Sequence, residues 1–105
     1  MIKNPNNLYI NVIDYFRKKN MELKNKFETA VTESKNLPEK PGNETLLQLY
    51  SLYKQATEGD VNTEPPSNPF DFVNKAKHTA WTDLKGKTKE DAMKEYVELV
   101  ERLKK

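Results

Sequence analysis

The chain has 105 residues, 32% of them charged and 35% hydrophobic, with a net charge of +2, which bounds it to one small domain and a short appendage. Leu, Ile, Val and Phe make up about 22% of the residues, enough for one modest core in a chain with little self-repulsion. With no cysteine, disulfide scaffolds, thiol catalysis and Cys-based zinc sites are excluded, and the apolar runs are too short to span a membrane.

The first stretch, MIKNPNNLYINVIDYF, is interrupted by Asn11 and Asp14 and lacks a small-residue cleavage site, so it does not read as a signal peptide and the protein is expected in the cytoplasm. Leu8, Tyr9, Val12, Ile13, Tyr15 and Phe16 share one half of a helical wheel. Lys3, Arg17, Lys18 and Lys19 against Asp14 give residues 1–20 a charge of +3, leaving −1 for residues 21–105. The main domain therefore offers no broad basic field, which argues against a nucleic-acid partner. Residues 1–20 read as a helical extension packed on the domain. Self-association and contact with an anionic membrane surface are the alternatives, because Arg17, Lys18 and Lys19 adjoin the apolar face.

Residues 21–105 read as four helices separated by Pro and Gly, with no strand-like alternation of useful length. The first is expected over residues 21–36 with Asn20 as N-cap, burying Leu23, Phe27, Ala30, Val31 and Ser34, and stopped by Pro38. The second covers residues 44–57, capped by Asn43 and closed by Gly59. A third runs from residue 71 or 72 to 84 and closes near Gly86. The fourth starts at Thr88, with Asp91 three residues on as a weak capping box, and runs to about residue 103 with Ala92, Met93, Tyr96, Val97, Leu99, Val100 and Leu103 inward. This is an all-α four-helix bundle. The proline-rich stretch over residues 59–70 is too long for a tight turn, so it crosses the bundle and lets consecutive helices run parallel.

Two helices break the bland pattern. On the third, Val73, Ala76, Ala80, Trp81 and Leu84 form the apolar stripe and Lys77 falls in its middle, where an ammonium must snorkel, find a carboxylate or meet an external anion. On the second, the apolar arc of Leu46, Leu47, Leu49, Tyr50, Leu52, Tyr53 and Ala56 is too wide for a core alone, and Lys54 stands four residues after Tyr50. Either feature is met by core tyrosines and a snorkelling lysine; together they suit a ligand with a flat anionic head and a greasy tail. The single His78 points away from its stripe and has no ligand cluster, and Glu90, Asp91, Glu95, Glu98 and Glu101 read as a solvated face, so neither a metal nor catalysis is expected. No Gly-rich phosphate loop is present. A helical interaction module gripping a partner protein through the tyrosine-rich face is the alternative from another class.

The runs Tyr50-Ser-Leu-Tyr-Lys-Gln-Ala-Thr-Glu-Gly-Asp60, Lys75-Ala-Lys-His-Thr-Ala-Trp81 and Leu84-Lys-Gly-Lys-Thr-Lys-Glu-Asp-Ala-Met-Lys-Glu-Tyr96 resemble the acyl-CoA-binding protein family over residues 21–105. The resemblance implies an up-down-down-up bundle and a shallow bowl that binds, buffers and transports medium- and long-chain fatty acyl-CoA esters without catalysis or cofactor, as a monomer exchanging ligand with the enzymes that make and use it. Carried over by position, it puts Tyr50, Tyr53 and Lys54 at the nucleotide head, Lys54 on the ribose 3′-phosphate with the Tyr50 hydroxyl beside it. Lys77 would meet the phosphates, Tyr96 would help form the adenine and ribose site, Lys35 would line the rim, and Val31 and Leu47 would be walls. Pro65 and His78 stand where the family often has a basic residue and a tryptophan, the loop around Pro66 to Pro69 is one residue longer, and residues 1–20 lie outside the usual domain.

Overall fold

A computed structural model describes the backbone of residues 5–105 and the side chains of residues 11–105. Four helices, α1 (Pro5–Glu33), α2 (Asn43–Glu58), α3 (Phe72–Thr82) and α4 (Lys89–Leu103), make up the fold, with a 3-10 turn over Ser34–Asn36. The described residues contain no strand.

The order of contacts along each pair sets the topology. Phe27 of α1 packs on Tyr96 of α4, and Glu33 pairs with Lys104 just past its end, so α1 and α4 run the same way. Gln55 near the end of α2 bonds the Lys87 carbonyl just before α4, while Gln48 and Arg102 border one hollow, so those two helices oppose each other. Lys77 meets Tyr50 and Trp81 meets Lys54, so α3 follows α2 in parallel. The sense is up-down-down-up. Phe27, Ala30, Leu49, Leu52, Ala56, Ala92, Tyr96, Leu99 and Val100 form the core between α1, α2 and α4.

Local chemistry explains the ends. Gly59 closes α2 at φ 80°, a left-handed conformation that a side chain resists, and its N–H returns to the Gln55 carbonyl. Thr88 caps α4 by accepting the Asp91 N–H at 3.0 Å. Asp71 caps α3, accepting from the Asn74 N–H at 3.3 Å and from its amide at 2.9 Å. The residue before Pro38, Leu37, is extended with ψ 149°, as pre-proline sterics require.

Four expectations are corrected. Asn20 is not an N-cap: α1 runs through it from Pro5, because no Gly or Pro interrupts residues 6–37 and an interior Asn costs only about 0.7 kcal/mol against Ala. The cap of α2 is Gly42, whose carbonyl takes the Leu46 N–H at 3.0 Å, and Asn43 is already helical. The third helix ends at Thr82, and i→i+3 bonds from Leu84, Lys85 and Lys87 carry the chain around Gly86. The side chains of residues 11–20 are exposed and not packed on the bundle. α1 meets the start of α4 near Lys19 and Leu23, and residues 5–18 run on for about 20 Å. The radius of gyration is accordingly 18.1 Å, against about 13 Å for a compact chain of this length. Of the expected apolar face, the side chains of Leu8 and Tyr9 lie outside the described residues, as does Lys3.

Candidate functional site

The apolar arc of α2 is shared between three neighbours. Leu49, Leu52 and Ala56 go into the core, Tyr53 turns toward α1, and Tyr50 and Lys54 turn toward α3. Because α1 and α2 touch the core through α4 more than each other, a hollow of about 610 Å³ opens between them. Phe27 and Val31 line it from α1, Tyr53 and Thr57 from α2, and Met93 from α4, with Lys24 and Lys89 at its edge. Its aromatic wall is prepacked: Tyr53 lies nearly parallel to Phe27 with centroids 5.9 Å apart, and Tyr96 meets Phe27 edge-on at 5.2 Å. Tyr53 remains 40% exposed. Tyr96 is buried, donates its hydroxyl to Ser34 Oγ at 3.1 Å, and has its ionisation pushed up by burial.

On the other side of α2, Lys77 resolves the mid-stripe problem without a carboxylate. Its Nζ lies 5.3 Å from the Tyr50 ring centroid, a cation–π contact, and none of the ion pairs among the described residues uses it. Lys54 repeats the device 4.9 Å from the Trp81 ring and also pairs with Glu58. That hydrogen bond raises the Lys54 pKa above its ordinary value and lowers that of Glu58. Trp81 is the buried platform, its Nε1–H donating to the Gly59 carbonyl at 2.9 Å. Tyr50, Lys77 and Trp81 line a small hollow of about 150 Å³ under the crossover.

Val73, expected in the buried stripe, is 66% exposed, because α3 reaches α2 through Lys77 and Trp81 on its later turns. Leu46 is 39% exposed. These two residues stand one turn before Lys77 and Tyr50 on parallel helices, each leaving apolar surface uncovered. Phe70 and Phe72 are exposed at the same end.

The structure thus brings Tyr50, Lys54 and Lys77 together on the α2–α3 side, and Val31, Tyr53 and Tyr96 together on the α1 side. Lys35 is exposed in the 3-10 turn, and Leu47 is half-buried on α2 outside both hollows. Phe27, Met93 and Trp81 read in the sequence only as core, since periodicity separates buried from exposed but not core from wall. His78 donates to or accepts from nothing resembling a metal shell; its Nε2 lies 2.8 Å from the Thr63 carbonyl and fastens the crossover to α3. Among the described residues no group of His, Cys, Asp and Glu could hold a metal ion.

A second network fixes the end of α2. Buried Gln55 donates to Asp60 Oδ1 at 2.9 Å and to the Lys87 carbonyl at 2.7 Å, and the Gly86 N–H donates to Asp60 at 2.8 Å. The Gly86 bond, then the Gln55 bond, holds the Asp60 pKa below its ordinary value.

Comparison with known proteins gives a consistent answer. The sequence profile of the family described as Acyl CoA binding protein matches residues 24–100. The chain is 48% identical over 77 residues to the acyl-CoA-binding protein of Saccharomyces cerevisiae, covering 73% of this chain and 87% of that one. It is 53% identical over 77 residues to enoyl-CoA delta isomerase 2 of Rattus norvegicus, but this spans only 19% of the rat protein. The crystal structure of Oryza sativa acyl-CoA-binding protein 2 superposes with a TM-score of 0.72 at 42% identity, covering 77% of this chain and 89% of that one. For ACBP from Moniliophthora perniciosa the TM-score is 0.67 at 42% identity, over 72% and 74% of the two chains.

Proposed function

The chain belongs to the acyl-CoA-binding protein family, and on that premise we propose that it binds medium- and long-chain fatty acyl-CoA esters reversibly, buffering and carrying them without altering them. The activity in the rat protein's name is that of a polypeptide of which this chain spans 19%. Donor and acceptor enzymes would exchange ligand with a monomeric carrier in the cytoplasm.

The observation that carries this reading is the division of α2 between an aromatic hollow on the α1 side and, on the α3 side, two lysines seated on aromatic rings with exposed apolar residues one turn earlier. A flat nucleobase suits the exposed face of Tyr53, which Phe27 and Tyr96 back from within the core. Lys54 takes the ribose 3′-phosphate with the Tyr50 hydroxyl beside it, Lys77 takes the remaining phosphates, and Lys35 lines the rim. Val31 is a wall of the head site. The hydrocarbon then runs over Leu46, Leu47 and Val73, where uncovered apolar surface waits. Each ammonium already sits on an aromatic face, so its position is fixed before a phosphate arrives.

The magnitudes require both parts. Ten methylenes removed from water contribute roughly 8 kcal/mol, and each charge-assisted hydrogen bond about 1.5–3 kcal/mol. Nanomolar affinity needs about 12 kcal/mol net of association costs, so chain burial supplies most of the affinity and the lysines and tyrosines select the CoA head. Titration calorimetry with palmitoyl-CoA, palmitate and CoA tests this: palmitoyl-CoA binds far more tightly than either fragment, and equal affinity for palmitate contradicts the reading.

A further inference from the structure

The overhanging part of α1 carries a row of large apolar side chains left uncovered by the fold. Val12, Ile13, Tyr15 and Phe16 are 46%, 51%, 57% and 60% exposed. At about 100° per residue they fall on one half of the helix. The same phase serves the bundle farther along: Phe16 and Phe27 are eleven residues, about three turns, apart. The stripe that is core from residue 23 onward is therefore open to solvent before residue 20.

Basic residues flank the row and close its end. Arg17 stands at one edge, beyond Ile13, and Lys19 follows one turn after Tyr15 in line with the row, its Nζ 5.6 Å from the Tyr15 ring centroid. Asn11, Asp14 and Lys18 take the opposite face. The family profile begins only at residue 24, so this face belongs to no part of the matched domain. Among the described residues no helix is long and apolar enough to cross a membrane.

We propose that this overhang docks on an anionic lipid surface, lying flat with Val12, Ile13, Tyr15 and Phe16 at the headgroup–acyl boundary and Arg17 and Lys19 against the lipid phosphates and carboxylates. An apolar face edged by cations with a polar back is the pattern of an interfacial helix, and lysine and arginine stems reach from such a face to the headgroups. Charge selects lipid over a second copy of the chain. Residues 11–20 hold three basic groups and one acidic, so pairing two overhangs would bring like charges together. The inference rests on the overhang alone and is independent of what the bundle binds.

Co-sedimentation of the full chain with phosphatidylcholine vesicles, with and without an equal part of phosphatidylserine, tests it. The chain is expected to sediment with the mixed vesicles and to release at high salt. Phe16→Asp or Ile13→Asp lowers the partition about tenfold or more, and Arg17→Glu or Lys19→Glu each by about fivefold or more. All four positions are solvent-facing, so a variant that loses vesicle binding keeps its helical circular dichroism and melting temperature. No binding to the mixed vesicles, or binding that Phe16→Asp and Ile13→Asp leave unchanged, overturns the proposal. So does a dimer by light scattering that Phe16→Asp converts to monomer, since the face would then be buried against a second copy.

Discussion

The two sides of α2 solve different problems with similar residues. Toward α1, Tyr53 is stacked on Phe27 and backed by Tyr96, so that aromatic surface is rigid before any ligand comes. Toward α3, Tyr50 and Trp81 each carry a lysine, and one turn earlier the apolar side chains of Leu46 and Val73 are simply open. A prepacked aromatic wall selects shape, whereas an open aliphatic strip rewards length. Both lysines stand on the α3 side, Lys54 on Trp81 and Lys77 on Tyr50.

The largest effect should come from the platform that holds the α3 side in place. Trp81→Ala removes a buried ring and the Gly59 bond and is expected to cost about 3–5 kcal/mol of stability, read by urea unfolding. A loss under about 1 kcal/mol would mean that α3 is held by something else.

Next come the terms in binding. Affinity should climb roughly fourfold per methylene across a series of acyl-CoA chain lengths until the strip is covered. Val73→Asp, at an exposed position, flattens that slope with little change in melting temperature. Lys77→Met instead weakens every chain length by the same factor, about tenfold to a hundredfold, and leaves the ligand-free protein as stable or more so. A change of slope from Lys77→Met would merge the two sides into one.

Acid should act through Asp60. Its folded pKa lies below the ordinary value, so its bonds to Gly86 and Gln55 contribute stability that is fully present above about pH 4 and is lost as pH falls through the lowered value. Urea unfolding at falling pH should show this acid-side loss in the native chain and a shallower one in Asp60→Asn. The smallest effect belongs to Glu58. It occupies the Lys54 ammonium in the ligand-free protein, so Glu58→Gln should raise affinity for palmitoyl-CoA about twofold at low salt and by less at high salt.

Much of this was legible from the chain itself, for identifiable reasons. Gly59 and Thr88 marked helix ends because a left-handed φ and a hydroxyl cap are local requirements. The wide arc of α2 and the lysine in the stripe of α3 pointed to a ligand because both violate what a core needs. Asn20 misled because a small local penalty does not stop a helix when both flanks favour it. Val73 misled because periodicity gives the face of a helix but not how far along it a neighbour reaches. Nor could spacing distinguish a helix packed on the bundle from one projecting past it, since the same apolar stripe serves both.

The most direct measurement is a set of intermolecular NOEs in the complex with palmitoyl-CoA. Contacts are expected from the acyl methylenes to the methyls of Leu46 and Val73, and from the adenine protons to the rings of Tyr53 and Phe27, in one bound species. Acyl contacts to Val31 and Met93 in place of Leu46 and Val73, or adenine contacts away from Tyr53, would contradict it.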